Sequence, residues 1–206
     1  MWIGIKLDRL KIISWNLLHS VGAGVEHVQN MIAQHQPDLL LMQEAMLKID
    51  ALPELLGGCY ARVALPGRQH GLAAWSPHPF HAPARSVKLQ RGLIVRRMCQ
   101  IIELEAFTVA NVHLSHGQVL NRRQLRRISS LLPAQAAILG DCNMVGAPFL
   151  PGFTDVGGRQ ATHLMKELVP LRLDRCFIRG LRCESAQALN RGASDHCPLL
   201  VVLARA

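Results

Sequence analysis

Short apolar runs, most of them bounded by Gly, Pro, Asp or Asn, recur along the whole chain. Ten of them are rich in Ile, Val and Leu and have the length of β-strands. They are LKIISW, DLLLMQ, CYARVAL, GLAAWS, GLIVRR, CQIIELE, FTVANVHL, AAILGD, LRLDRCFI and PLLVVL. The runs GLIVRRM, CQIIELE and FTVANVHL are joined by too few residues for a helical crossover, so we expect them to pair antiparallel.

Helical spacing of apolar residues is confined to a few segments. Residues 24–35 and 121–132 each place apolar side chains at intervals of three and four, and a proline follows each segment. A third, shorter helix is predicted over residues 50–56, provided that Pro53 lies in its first turn.

Many strands and few helices indicate an α/β fold. Two mostly antiparallel sheets that pack face to face, with helices covering their outer faces, would bury the apolar runs. No linker divides the 206 residues, so we expect residues 1–206 to form a single domain.

Amino-acid composition indicates which binding partners and which cellular compartment to expect. The formal charge of +9 favours polyanions such as nucleic acid or an anionic membrane surface, without identifying one. Charged residues interrupt the apolar residues of the N-terminal segment, and no stretch is long and apolar enough for a transmembrane helix. Six cysteines without a CxxC pair indicate thiols in a reducing compartment. The chain is therefore expected to be cytoplasmic.

Polar side chains cluster where the apolar runs stop. Each has a structural explanation when taken alone, because an acid, amide or imidazole beyond a strand often only holds a turn. The residues are Asn16, Glu44, His113, Asp141, Asn143, Asp174, Asp195 and His196.

The spacing of these residues adds information. In GDCN, Asp141 and Asn143 lie two residues apart and so face the same side of an extended segment, while Cys142 points the other way. Carboxylate and amide oxygens suit Mg²⁺ or Mn²⁺, and the scarcity of clustered Cys and His argues against structural zinc.

Six motifs resemble, in order, those of the endonuclease/exonuclease/phosphatase family. They are ISWN, LLLMQE, NVHL, LGDCN, LDRCF and SDHCP, and HGLAAWSPHPF is similar to a further strand of the family. The resemblance implies a four-layer sandwich of two mostly antiparallel β-sheets flanked by helices, with the active site at one end of the sheets. It also implies a divalent-metal-dependent phosphoesterase.

The resemblance assigns a role to each polar residue. Glu44 would ligate Mg²⁺ or Mn²⁺, Asn16 would support that metal site, and Asp195 would lie near it. Asp141 and Asn143 would orient water and phosphate, and His113 would stabilise charge on the phosphoryl oxygens. His196 would be the general base, held by Asp174.

Departures from the family pattern affect substrate choice. Cys142 and Cys197 replace aromatic residues that many relatives have, and Leu72 and Pro77 replace polar or basic ones. Tyr60, the single tyrosine, lies too early in the chain to match the active-site tyrosine of abasic-site endonucleases. Contacts to substrate near the Leu72 segment are therefore not expected to follow the family.

A basic helix face has two interpretations. Four arginines share one side of the helix predicted over residues 121–132, and they form either a solvated surface or a ridge that binds substrate phosphates. They are Arg122, Arg123, Arg126 and Arg127.

Together these patterns predict a phosphodiester hydrolase, nuclease-like, with nucleic acid slightly favoured over a phospholipid head group and a phosphomonoester third. An exposed apolar hairpin or a secretion signal would favour a lipid substrate. The sequence shows neither clearly, although WSPHPF could form a small apolar loop. A catalytically silent nucleic-acid-binding or scaffold domain is the alternative from another class.

Overall fold

A computed structural model describes residues 9–92, 95–165 and 168–206. The elements in chain order are β1 Arg9–Asn16, α1 Val25–His35, β2 Leu39–Ala45, a 3₁₀ turn Leu47–Ala51, α2 Leu52–Leu56, β3 Cys59–Ala64, β4 Gly71–Ser76, β5 Arg85–Lys88, β6 Met98–Glu103, β7 Thr108–His113, α3 Gln118–Leu131, β8 Ala136–Asp141, β9 Thr154–Asp155, β10 His163–Met165, β11 Val169–Leu171, β12 Asp174–Arg179, β13 Leu181–Ala188 and β14 Leu199–Arg205.

Two six-stranded sheets form the body of the protein. The strand order is β13-β14-β1-β2-β4-β3 in the first sheet and β5-β6-β7-β8-β12-β9 in the second, while β10 and β11 form a separate hairpin. Neighbouring strands are antiparallel except for β1 with β2 and β7 with β8. Helices α1 and α3 supply the crossovers that these two parallel pairs require.

The sheets stack face to face with a helix on each outer side. Alternation along the strands divides the side chains between layers: Ile12 and Leu41 face the core between the sheets, whereas Ile13 and Leu40 pack with helix α1. On the other side, Leu125 of α3 packs on the outer face of the second sheet. The expected four-layer α/β sandwich is confirmed.

Most of the predicted elements are present. Nine of the ten apolar runs contain a strand, and the helices predicted over residues 24–35 and 121–132 correspond to α1 and α3. Helix α3 begins earlier than predicted, at Gln118, and Pro53 does lie in the first turn of α2.

The prediction of a strand over GLIVRR is wrong for the residues that can be described. Residues 92 and 95–97 are not in a strand, and Leu93 and Ile94 lie outside the described residues. Five strands were missed. They are β5, β9, β10, β11 and β13, which are either two to four residues long or, as in Leu181–Ala188, largely exposed and polar at a sheet edge.

The segment WSPHPF does not form an apolar loop. Trp75 is buried in β4, and Phe80 packs against the core between the sheets, so the exposed part of the segment consists of Pro77, His78 and Pro79. Among the described residues, no helix has the length and apolar character needed to cross a membrane.

A buried amide network joins the two sheets. Asn111 of β7 donates through Nδ2 to the carbonyl oxygens of Met42 and Ala73 in the first sheet, at 3.2 and 3.0 Å, and to Gln100 Oε1 at 3.1 Å. It accepts from Gln43 Nε2 at 2.8 Å. The bonds to Met42, Ala73 and Gln43 cross between the sheets and need the sheets in this relative position, because buried amides left without partners are costly.

Candidate active site

Asp141 lies at the centre of the polar cluster. Its Oδ2 accepts hydrogen bonds from Asn16 Nδ2 at 3.1 Å and Asn143 Nδ2 at 3.3 Å. The same oxygen lies 3.3 Å from His113 Nε2 and 3.8 Å from His196 Nε2. Strand ends from both sheets thus meet at one carboxylate.

Strand pairing explains why these groups meet. His113 and Asp141 end the parallel strands β7 and β8 in register, and Asp174 at the start of β12 pairs with Asp141 from the other side. Gly140 permits this approach, since an added Cβ would lie 2.0 Å from the carbonyl oxygen of Val112. Asn143 turns back toward Asp141 in the left-handed region, with φ of 49°.

Asp174 at the start of β12 and His196, just before β14, form a buried pair, with Oδ2 2.8 Å from Nδ1. Burial lowers the pKa of the imidazole, but the charge and hydrogen bond of Asp174, assisted by Asp141 and Asp195, raise it to about 10. In this state of the site, His196 is therefore protonated at neutral pH, not close to its ordinary pKa of about 6.5.

Glu44 occupies the other end of the cluster. It ends β2 with φ of 57°, a conformation costly for a non-glycine residue, and its Oε1 lies 3.9 Å from His113 Nδ1. Its Oε2 contacts the ring of His19, which stacks on His70 with 4.1 Å between the ring centroids. Burial would raise the pKa of Glu44, but the bonds and charge at His19 outweigh it and keep the carboxylate ionised.

Two buried basic side chains, Arg97 and His113, lie near the carboxylates of Asp141 and Glu44. Arg97 is 5% exposed, its Nε has no hydrogen-bond partner, and the charges of Asp141 and Glu44 oppose the lowering of its pKa by burial. Burial, together with Arg97, holds the pKa of His113 well below its ordinary value. His113 is therefore neutral, and Arg97 carries the positive charge at this point.

Asp195, which directly precedes His196, lies close to the β10–β11 hairpin. Its Oδ2 is 3.7 Å from Nδ1 of His163, a residue of β10. The structure thus brings all eight predicted residues to the region of Asp141, Glu44 and the His196 pair, with Asp195 next to His196 and close to His163.

The four arginines of α3 differ in their surroundings. Arg122 donates to the carbonyl oxygen of Val145 at 3.1 Å, in the segment that follows Asn143. Arg123, Arg126 and Arg127 are exposed. Only Arg122 is thus tied to the site, and contact of the other three with substrate stays a prediction.

Sequence reasoning missed five residues around the cluster. None stands in a motif that ends an apolar run, and His19, His70 and His163 are brought close only by tertiary folding. Arg97 follows Arg96 in a segment predicted as a strand, where nothing distinguished the buried arginine from the exposed one. The five are His19, His70, Arg97, Thr162 and His163.

Comparison with solved structures shows the same fold over almost the whole chain. An endonuclease/exonuclease/phosphatase from Beutenbergia cavernae superposes with a TM-score of 0.72 and 19% identity, covering 96% of this chain and 72% of that one. TDP2 from D. rerio complexed with single strand DNA product gives a TM-score of 0.73 and 14% identity, covering 95% and 98%. ANGEL2, a 2′,3′-cyclic phosphatase, gives 0.72 and 15%, covering 95% of each chain.

At these identities the likeness establishes the fold alone. A search among curated proteins gave no match. The sequence profile of the endonuclease/exonuclease/phosphatase family, in contrast, matches residues 13–196, which include every residue of the candidate site. The chain therefore belongs to the endonuclease/exonuclease/phosphatase family.

Proposed function

We propose that this chain is a divalent-metal-dependent phosphodiester hydrolase, nuclease-like, in which water attacks phosphorus with His196 as general base. Family members are typically hydrolytic phosphoesterases that generally use divalent metals. The observation that carries the proposal is the meeting of Asp141 with the His196–Asp174 pair, with 3.8 Å between Asp141 Oδ2 and His196 Nε2. A water molecule that hydrogen-bonds to both atoms would be held and deprotonated at one place.

The residues at the Glu44 end fit a hard divalent cation. Glu44 is ionised and held toward the site by a strained backbone, and Asn16 adds an amide group linked to Asp141. Oxygen ligands of this kind are those that Mg²⁺ and Mn²⁺ prefer. When bound there, the ion would neutralise phosphate charge and steady the leaving oxygen.

Arg97 and His113 would bind the phosphate. The guanidinium of Arg97 is buried with an unused Nε donor, so an anionic oxygen would satisfy it. His113 is neutral and can donate one hydrogen bond without changing the charge of the site. Asn143 keeps Asp141 in place by donating its backbone N–H to Oδ1 at 2.9 Å.

His196 can act as a base only if it has lost its proton before water attacks. With a pKa near 10, the imidazole already carries the proton that a base must accept. Asp174 is needed to hold the ring, so the condition would be met if a divalent cation bound at the site offset the charges of the other two carboxylates, Asp141 and Asp195. The pKa then falls because burial, which favours the neutral imidazole, meets less opposition.

Nucleic acid is the substrate class we favour. The net charge of +9 supports electrostatic attraction to a polyanion, and Arg122 of α3 bonds to the segment after Asn143. The solved D. rerio TDP2 relative holds a single strand DNA product.

A phospholipid head group is the second candidate, and one observation favours it. The hairpin of β10 and β11 exposes Met165, Leu168 and Val169, while its first residue, His163, lies against His196. Apolar side chains beside an active site can enter a lipid surface.

Hydrolysis of substrates from each class, with Mg²⁺ or Mn²⁺ and with EDTA, tests the proposal. The panel is single-stranded DNA, RNA, plasmid DNA, bis-nitrophenyl phosphate, a nitrophenyl monoester, phospholipid vesicles and inositol phosphates. We expect metal-dependent cleavage of the diesters, fastest on nucleic acid, and its loss in His196→Ala. Faster vesicle hydrolysis would select the lipid candidate. Nucleic-acid binding without turnover of any substrate would indicate a silent binding domain.

A further inference from the structure

His163 lies beside His196, and the proposed reaction leaves its imidazole unused. We propose that His163, Asp195 and His196 form a second metal site, selective for a borderline-soft ion such as Zn²⁺, and that its occupation switches off hydrolysis. The inhibitory part rests on the proposed function, whereas the binding part does not. One possible ligand atom from each of the three residues lies within 4.8 Å of the others.

The spacing suits direct coordination. His163 Nδ1 and Asp195 Oδ2 lie 3.7 Å apart. Nitrogen and oxygen ligands of a tetrahedral zinc ion, at roughly 2.0–2.1 Å from the metal, stand about 3.4 Å from each other. A small movement of the two side chains toward each other would therefore let both of them coordinate one ion.

The same two residues carry unused ligand atoms. Nδ1 of His163 and Oδ1 of Asp195 are shielded from solvent and have no hydrogen-bond partner. Shielded polar atoms without a partner are rare because they forfeit hydration, and a bound cation would use both. The side chains are 15% and 34% exposed, so an ion can reach them from solvent.

Backbone pairing holds His163 and His196 in place. The two residues form an isolated antiparallel bridge, and Cys197 N–H donates to the Thr162 carbonyl at 2.7 Å. Their rings lie 4.5 Å apart between centroids. The first residue of the β10–β11 hairpin is thus fixed to the segment that carries the proposed base.

The chemistry of His196 explains the inhibition. Its Nδ1 is engaged by Asp174, which leaves Nε2 for a metal, and a carboxylate on the opposite nitrogen is the usual support of a metal-bound imidazole. Nε2 is also the atom that would take the proton from water. A metal ion on it would take the place of a proton and occupy that lone pair, so His196 could not act as a base.

Ligand type separates this site from the one at Glu44. Two imidazoles and one carboxylate form a three-ligand set that Zn²⁺ accepts with a fourth position open, whereas Mg²⁺ prefers oxygen alone. Micromolar Zn²⁺ should therefore inhibit in the presence of millimolar Mg²⁺.

The test measures Zn²⁺ binding by the whole protein in competition with a chromophoric chelator, and separately the Zn²⁺ dependence of Mg²⁺-supported cleavage of bis-nitrophenyl phosphate. We expect His163→Gln to weaken Zn²⁺ binding and to raise the inhibitory Zn²⁺ concentration, each by roughly tenfold or more, without changing the Mg²⁺ rate. Asp195→Asn should weaken binding similarly. His81→Gln, at an exposed histidine, should behave as wild type.

The binding and inhibition results can fail separately. Zn²⁺ affinity that is equal in wild type, His163→Gln and Asp195→Asn would overturn the site, whatever the activity. Inhibition that persists in His163→Gln despite lost binding would overturn its blocking role. If Zn²⁺ binding depends on His163 but no phosphodiester is cleaved with Mg²⁺, the proposed function fails and the metal site stands.

Discussion

Asp174 and His196 approach to 2.8 Å, and Thr162 bonds to the backbone of Asp174 and of Cys197, the residue after His196. The hydroxyl oxygen of Thr162 accepts the backbone N–H of Asp174 at 3.0 Å, while its carbonyl oxygen accepts the N–H of Cys197 at 2.7 Å. The pair is therefore positioned by backbone contacts beneath it, independently of the substrate.

The first prediction is that Asp174 and His196 act as one unit. His196→Ala should lower kcat on the order of 10³-fold or more, and Asp174→Asn somewhat less. Because Asp174 serves only to hold and charge the imidazole, the double variant should resemble His196→Ala. The measurement is kcat on bis-nitrophenyl phosphate, with folding of each variant checked by circular dichroism. Losses that multiply in folded variants would mean that Asp174 has a separate role.

A second prediction concerns Glu44. Glu44→Gln removes the ionised carboxylate at the proposed metal position, so the Mg²⁺ concentration for half-maximal activity should rise by roughly tenfold or more. Glu54→Gln, at an exposed position of α2, is the matched control. Titration of activity with Mg²⁺ measures the effect. Identical Mg²⁺ curves for the two variants would place the metal elsewhere.

Two adjacent arginines provide the third prediction. Arg97→Gln should reduce kcat/KM roughly ten- to a hundredfold, because a hydrogen-bonded charge on the phosphate is lost. Arg96 is exposed, and Arg96→Gln should remain within about twofold of wild type. Arg97→Lys should recover part of the loss, which a purely structural role would not allow. Equal effects of the Arg96 and Arg97 variants would remove Arg97 from the site.

The raised pKa of His196 predicts a dependence of stability on pH. A group whose pKa rises from about 6.5 unfolded to about 10 folded stabilises the fold fully below pH 6.5, and this contribution disappears as the pH rises toward 10. The limiting slope is about 1.4 kcal/mol per pH unit. Urea unfolding with EDTA at several pH values should show a steeper decline for wild type than for His196→Gln. Parallel declines would mean that His196 has an ordinary pKa.

The two interpretations of the α3 arginines differ in their salt dependence. If these side chains bind phosphates, Arg123→Gln with Arg127→Gln should flatten the salt dependence of nucleic-acid affinity by roughly one unit of log–log slope per lost contact. The measurement is affinity for a duplex over a range of salt concentrations. An unchanged slope would identify a solvated helix face.

The local sequence was enough to predict the sandwich and the principal strands. Apolar runs such as DLLLMQ and FTVANVHL are long and bounded, so strand length and burial agree in them. The chain's polar residues at the ends of these runs indicated where a site would form. Short strands such as Thr154–Asp155 exist because tertiary pairing with β12 stabilises them, and they leave no periodic pattern.

The electrostatics of the site could not be predicted from spacing. Spacing alone shows Asp195 next to His196, but the pKa of His196 also depends on Asp141 and Asp174, which come from other parts of the chain. Arg97 ends the run GLIVRR with nothing to set it apart from Arg96, and His163 belongs to none of the runs; their relation to the site depends on how the sheets and the β10–β11 hairpin pack.

The interior amide of Asn111 has a consequence for catalysis. Asn16 ends β1 of the first sheet, whereas its partner Asp141 ends β8 of the second, so the distance between them changes if one sheet slides over the other. An interface made only of aliphatic side chains tolerates such sliding, because burial hardly changes with lateral position. Hydrogen bonds from Asn111 to two strands of the opposite sheet are directional and select one position. The alignment of the reacting groups thus depends on a side-chain amide in the interior that itself takes no part in the reaction.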